Sequence, residues 1–137
     1  MQEARILHCE DSKEMRESVA EILAIRGVHR LVSVAESVAE AQERLEDIAR
    51  RRLDANVILL DGHLRDGAAM NHPRVIKVMA DELGLRIPII GLSADGLAEK
   101  GLVVRADIVA DITKLSLAAD TEMLDRILDE LPEPEHF

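Results

Sequence analysis

The stretch Asn56-Val57-Ile58-Leu59-Leu60-Asp61 decides the fold of this chain. Its unbroken apolar run is typical of a strand that is covered on both faces, as in the parallel sheet of an α/β domain. In such sheets the chemistry lies at the carboxyl ends of the strands. We therefore predict that Asp61 lies at the mouth of a functional crevice. Aspartate is also a common turn former, so the other strand ends must decide between the two interpretations.

The rest of the chain alternates short apolar runs with segments of helical periodicity. We predict further strands at 6–9, 31–35, 87–92 and 107–112, and helices from about Ser12 to Gly27, Ser37 to Arg52, Pro73 to Gly84, Gly96 to Arg105 and Ser116 to Leu131. Gly96 and Gly101 each weaken the fourth helix by about 1 kcal/mol relative to alanine, which makes it marginal. The alternation predicts one α/β domain with a parallel sheet over residues 1–131, followed by a disordered tail over 132–137.

Composition narrows the classes of function. The chain has 137 residues, a net charge of −10, one Phe and no Trp or Tyr, so its core must be aliphatic. The negative charge opposes polyanions and the lack of aromatic rings removes stacking platforms, so we expect no direct nucleic-acid binding. A single Cys excludes an internal disulfide. Because the chain has no signal peptide and no apolar run near the roughly 20 residues of a membrane span, we expect a cytoplasmic protein that does not bind membranes.

Polar groups able to do chemistry follow four of the predicted strands, and we assign no role to Glu36 after the second strand. These groups are Glu10-Asp11, Asp61, Ser93 and Lys114. Carboxylates gathered at one edge repel by about 4 kcal/mol for a pair at 4 Å and an effective dielectric constant near 20, so they need a cation. Hard oxygen ligands around an open position favour Mg²⁺, which reaches for phosphate oxygens. A lysine and a serine beside that ion suit phosphoryl transfer onto an aspartate.

With these residues the chain resembles a response regulator receiver domain over nearly all of its length. The resemblance rests on Glu10-Asp11, on Asp61 with Leu64, Asp66 and Gly67 behind it, on Gly91-Leu92-Ser93-Ala94 and on Lys114, in that order. It implies a flavodoxin-like fold, with a five-stranded parallel sheet in the order 2-1-3-4-5 and five helices.

The resemblance also implies a function. Asp61 would accept a phosphoryl group from a histidine kinase or phosphotransfer protein, and Ser93 and Lys114 would bind its oxygens. The residues that the resemblance places around Mg²⁺ are Glu10, Asp11, Asp61 and, through its backbone carbonyl, His63. The protein would be a stand-alone receiver that docks on a downstream protein target and catalyses only its own phosphoryl transfer.

Four positions depart from the receiver pattern. Arg65 and Leu115 stand where the family has proline, Ala69 stands where it has glycine, and Asp111 stands where it has Tyr or Phe. The aromatic switch of the family cannot operate with Asp111. We therefore expect phosphorylation to change the order of the marginal segment 96–105.

Two alternatives stay open. One is a receiver-like docking module that does not depend on phosphorylation, which Arg65, Asp111 and Leu115 favour. The other is an Mg²⁺-dependent hydrolase with Asp61 as nucleophile, which would need a substrate pocket and a general acid.

Three further residues have simpler interpretations. We predict that Cys9 is a core residue rather than a redox centre. His8 is expected to be a buried, hydrogen-bonded histidine rather than a metal ligand. The surrounding oxygens favour Mg²⁺ over a softer metal bound by the ring of His63.

Overall fold

A computed structural model describes residues 1–61, 63–64, 72–97 and 108–133 of the chain. The strands are β1 (Arg5–Cys9), β2 (Arg30–Ala35), β3 (Val57–Leu60), β4 (Ile89–Ser93) and β5 (Ala110–Thr113). The helices within these ranges are α1 (Lys13–Arg26), α2 (Val38–Ala49), α3 (His72–Glu82), α4 (Lys114–Ala119) and α5 (Met123–Glu130). All strand pairs are parallel and the order is β2-β1-β3-β4-β5, which confirms the predicted α/β fold. No helix in the described part of the chain has both the length and the apolarity to cross a membrane.

The central strand β3 lies between β1 and β4, and each of its residues is buried. Successive side chains point to opposite faces of the sheet. Leu59 packs with residues of α1 and α5, whereas Ile58 and Leu60 pack with residues of α2 and α3. Burying one such side chain completely contributes about 1.5–3 kcal/mol. The uninterrupted apolar run in the sequence therefore reflects two helical layers, one on each face.

Two serines start helices as predicted. The hydroxyl of Ser12 accepts a hydrogen bond from the backbone N–H of Met15 at 3.3 Å, and that of Ser37 accepts from Glu40 at 3.1 Å. The Glu40 carboxylate accepts from the backbone N–H of Glu36 at 2.8 Å. These bonds satisfy N–H groups that a helix start would otherwise leave unpaired.

The single helix predicted from Ser116 to Leu131 is wrong, because the structure has α4 and α5 there. The hydroxyl of Thr113 accepts from the backbone N–H of Ser116 at 3.1 Å, so the first helix starts at Lys114. It ends at Ala119 and is followed by Asp120, whose carboxylate accepts from the backbone N–H of Glu122 at 3.2 Å. Short aspartate side chains compete with the helix in this way. Lys114 is consequently the first residue of a helix rather than part of a loop.

The bounds of β4 and β5 also differ from the prediction. β4 begins at Ile89, after Pro88, which cannot donate to the sheet but whose carbonyl accepts from Ile58 at 3.0 Å. β5 begins at Ala110 rather than at residue 107. Of the helix predicted from Gly96 to Arg105, the described part of the chain includes only residues 96–97. Arg65, Ala69 and residues 134–137 also lie outside the described residues. The disordered tail over 132–137 stays a prediction.

His8 is buried as expected, but the predicted hydrogen bonds to its ring are wrong. It lies on β1 opposite Val34 of β2 and Leu59 of β3. Neither ring nitrogen has a hydrogen-bond partner among the described residues. Burial, together with the positive charges of Lys114 and Arg16, lowers the pKa of His8 to about 3. The imidazole is therefore neutral in the folded protein.

Cys9, the next residue of β1, is also buried. Burial raises the pKa of its thiol to about 12. Since the thiolate is the reactive form, the side chain behaves as the small apolar core residue that the sequence predicts.

We expect the free energy of unfolding to fall as the pH drops below 6.5, because the unfolded chain protonates His8 there whereas the folded chain does so only near pH 3. This side chain contributes a slope of at most about 1.4 kcal/mol per pH unit. Urea denaturation between about pH 7 and pH 4 measures it. His8→Leu should show a slope that is shallower by this amount.

The control is Val78→Ala, which shortens an exposed side chain of α3 and removes no titratable group, so it should leave the slope unchanged. Equal slopes in His8→Leu and the unmodified protein would show that another group causes the acid sensitivity.

Candidate functional site

Three carboxylates meet where β1 and β3 end. The backbone N–H of Glu10 donates to Ala35 at 2.8 Å and that of Asp61 donates to Cys9 at 3.0 Å, so the sheet extends to both acids. One carboxylate oxygen each of Glu10, Asp11 and Asp61 lies within 4.8 Å of the other two. Glu10 and Asp61 are buried, whereas Asp11 is exposed. The cluster is therefore open to solvent on the side of Asp11.

Lys114 places a positive charge against two of these acids. Its Nζ atom lies 2.8 Å from Oε1 of Glu10 and 3.4 Å from Oδ2 of Asp61. Burial acts to lower the pKa of Lys114, but the hydrogen bond to Glu10 and the charges of Asp61 and Glu10 outweigh it, so the pKa lies above its usual value. The ammonium is thus charged at physiological pH and offsets part of the repulsion among the carboxylates.

The surroundings of Glu10 shift the pKa of its carboxyl group. Burial raises its pKa, and the hydrogen bond with Asp61 raises it further, whereas the hydrogen bond with Lys114 acts in the opposite direction. The backbone N–H of Ser12 also donates to Oε2 of Glu10, at 3.3 Å. Burial and the neighbouring Asp61 therefore disfavour the charged form of Glu10. One lysine does not neutralise the site alone.

Arg16 and Glu36, for which the sequence predicted no role, form an ion pair beside the cluster. Nη1 of Arg16 donates to the backbone carbonyl of Glu10 at 3.0 Å, and Nη2 lies 2.7 Å from Oε1 of Glu36. Both side chains are largely shielded from solvent, with 16% and 32% of their surface exposed. The pair joins α1 and the end of β2 to the residue that follows β1. Its signal in the sequence was the position of Arg16, one turn beyond the cap Ser12 and therefore near the same edge of the sheet.

The remaining predicted site residues occupy different surroundings. Ser93 is buried at the end of β4, and its hydroxyl accepts from the backbone N–H of Gly96 at 3.0 Å. His63 follows β3 with an exposed side chain, beside the buried Leu64. Leu115, at the position where receivers have proline, is 79% exposed. The roles predicted for Ser93 and for the His63 carbonyl stay predictions.

The oxygen ligands of this cluster fit Mg²⁺. The ion takes one or two carboxylates, keeps several waters and prefers hard oxygen donors. Glu10, Asp11 and Asp61 provide such donors, and the exposure of Asp11 leaves room for water. No sulfur or imidazole group belongs to the cluster among the described residues. The donor set therefore suits a hard divalent cation better than zinc.

No family model matches the sequence, and no curated protein matches it. Solved structures do match. The RcsB response regulator of Salmonella typhimurium superposes with a TM-score of 0.72 at 17% identity, over 94% of this chain and 60% of that one. The chain has the receiver fold. The response regulator domain of Thermotoga maritima CheB gives 0.69 at 22% identity, over 96% and 98% of the two chains. The PhyR receiver domain of Erythrobacter litoralis gives 0.67 at 18%, over 100% and 98%.

These structural similarities confirm the predicted architecture of the domain. The chain spans less than two thirds of RcsB but nearly all of the CheB and PhyR domains. Every identity is below 25%, so the likeness concerns the fold and leaves the roles of single residues to the geometry of the site.

We expect Mg²⁺ to raise the melting temperature, since it relieves the repulsion among Glu10, Asp11 and Asp61. A ligand that binds only the folded state adds about 2.7 kcal/mol at a concentration 100 times its Kd. Asp11→Asn should lose most of this gain, because it removes one of the few carboxylates available to the ion. Thermal unfolding at increasing Mg²⁺ concentration measures the effect.

Asp81→Asn is the matched control, because it removes an exposed acid of α3 that pairs with Lys77. It should leave the Mg²⁺ response intact. If Asp11→Asn responds to Mg²⁺ as the unmodified protein does, the ion binds elsewhere.

Proposed function

We propose that this chain is a phosphoacceptor receiver domain in which Asp61 takes a phosphoryl group from a histidine kinase or a phosphotransfer protein. The contact that supports this most is the ammonium of Lys114, which lies 2.8 Å from Glu10 and 3.4 Å from Asp61 at the carboxyl edge of the sheet. A buried aspartate beside a lysine and two further acids has the parts that phosphoryl transfer onto a carboxylate needs.

In the proposed reaction an oxygen of Asp61 attacks the phosphorus of a phosphohistidine. The new O–P bond forms as the P–N bond breaks, and the electron pair of that bond returns to the donor imidazole, which carries a proton on its other nitrogen and so leaves as the neutral ring. Lys114 then pairs with a phosphoryl oxygen, and the hydroxyl of Ser93 donates to another. Glu10, Asp11 and Asp61 would hold Mg²⁺, which would supply positive charge against the phosphoryl oxygens. The product is an acyl phosphate and a free histidine.

The product signals through a change in charge. A phosphoryl group adds about −1.5 to −2 charges at the edge of the sheet. A downstream protein that docks on this edge would distinguish the two states by that charge and by the contacts that it rearranges. In this proposal the chain performs its own modification and no other catalysis.

The second candidate function is docking without phosphorylation. It is favoured by Asp111, a carboxylate at the position where receivers have an aromatic switch. In that case the chain would bind its partner equally well with and without a modification at Asp61.

We expect the protein to gain the mass of one phosphoryl group when it is incubated with Mg²⁺ and acetyl phosphate. Asp61→Asn should prevent the gain, because an amide is not a usable nucleophile. Lys114→Gln should reduce the extent by about tenfold or more, since the variant loses a charge contact to the transferred group. Intact mass spectrometry over time measures both.

Asp81→Asn should gain the mass as fast as the unmodified protein. A phosphoryl group that maps to any residue other than Asp61 would contradict the assignment. Steady release of phosphate with no modified protein would instead favour the hydrolase alternative, and no modification at all would favour the docking module.

A further inference from the structure

Two side chains from different strands accept hydrogen bonds from the loop after β4. The hydroxyl of Ser93, the last residue of β4, accepts from the backbone N–H of Gly96 at 3.0 Å. The carboxylate of Asp111, on β5, accepts from the backbone N–H of the next residue, Leu97, also at 3.0 Å. Gly96 and Leu97 are both buried. Two consecutive N–H groups therefore donate to different residues. Ser93 lies at the end of β4, and Asp111 lies on the neighbouring strand β5.

The position of Asp111 depends on the absence of a side chain at Gly91. The two residues face each other in the register of β4 and β5. An ideal Cβ atom on Gly91 would lie 2.6 Å from Oδ1 of Asp111 and 2.8 Å from Cδ1 of Leu97. Contacts this short do not occur between relaxed atoms. Glycine thus leaves the space in which the carboxylate reaches the Leu97 N–H and in which the Leu97 side chain is buried.

The two hydrogen bonds to this loop differ in strength. A hydrogen bond from a backbone N–H to a carboxylate is assisted by charge and is roughly twice as strong as one between neutral groups. The bond to Asp111 is of the first kind and the bond to Ser93 is of the second. A hydroxyl can donate to a phosphoryl oxygen while it accepts from Gly96, so phosphorylation would break the Ser93–Gly96 bond by drawing Oγ of Ser93 toward the phosphoryl group. The carboxylate of Asp111 has no such task.

We propose that Asp111 is a positioning residue that anchors Leu97 to β5 in both states of the protein, so that phosphorylation frees Gly96 from Ser93 while Leu97 stays in place. This inference rests on the proposed function. At the position where the aromatic residue of other receivers rotates, Asp111 would keep one fixed contact. The moving part is then the short turn from Ser93 to Gly96, and Leu97 is its fixed end.

Amide hydrogen exchange followed by NMR on the full chain tests this proposal. The samples contain Mg²⁺ with or without acetyl phosphate, and intact mass reports the modified fraction of each. On phosphorylation, exchange at Gly96 should become about tenfold faster, while exchange at Leu97 should change by less than about twofold. Equal acceleration at both amides, or no change at Gly96 in a modified sample, would overturn the proposal.

Variants at position 111 test the anchor itself. Asp111→Ala removes the acceptor, so exchange at Leu97 should become about ten- to a hundredfold faster even without acetyl phosphate. Asp111→Asn keeps an oxygen at the same place and should restore most of the protection. If the alanine and asparagine variants protect Leu97 equally, Asp111 is not the anchor.

Gly91→Ala tests the same contact without removing the carboxylate, in case Asp111→Ala does not fold. Its new methyl group crowds both Oδ1 of Asp111 and the side chain of Leu97, so exchange at Leu97 should again become faster. Unchanged protection in this variant would count against the anchor. Failure of acetyl phosphate to modify the chain would refute the proposed function and the coupling to Ser93, whereas the anchor stands or falls on the unmodified variants.

Discussion

Like charges forced together at one edge of the sheet are the constraint on which this structure depends. Parallel strands end at the same edge, so the acids after β1 and β3 must share one small volume. The fold accommodates them by bringing Lys114 from the end of β5, by raising the pKa of Glu10 through burial, and by leaving Asp11 exposed to water. Each of these compensations is reversible, which would suit the proposed binding of a cation and a phosphoryl group.

Much of this arrangement was predictable because its signals are local. An apolar run of the composition of Val57 to Leu60 is stable only between two covered faces, and that requirement alone places Asp61 at the edge of the sheet. The caps Ser12 and Ser37 mark helix starts within a few residues of where they occur. Strand order followed from the resemblance to receivers, and the resemblance rested on residues at the ends of strands.

The features that were missed depend on choices between distant or competing partners. Arg16 can reach several acceptors, and only the folded geometry selects the carbonyl of Glu10. Asp120 lies within a segment of good helical periodicity, where its own hydrogen bond to Glu122 ends the helix instead. His8 differs from these two residues. A buried histidine normally has a hydrogen-bond partner, but the ring of His8 has none among the described residues. Periodicity and spacing do not encode these outcomes.

The close approach of Gly91 and Asp111 has a consequence for the evolution of this chain. A side chain at position 91 and a carboxylate at position 111 compete for the same space, so substitutions at the two positions are not independent. Shortening residue 111 removes one of the two side chains that block a larger residue 91, and the Leu97 side chain must also move before such a residue fits. The reverse order passes through a crowded intermediate, so the history of one position limits what selection can try at the other.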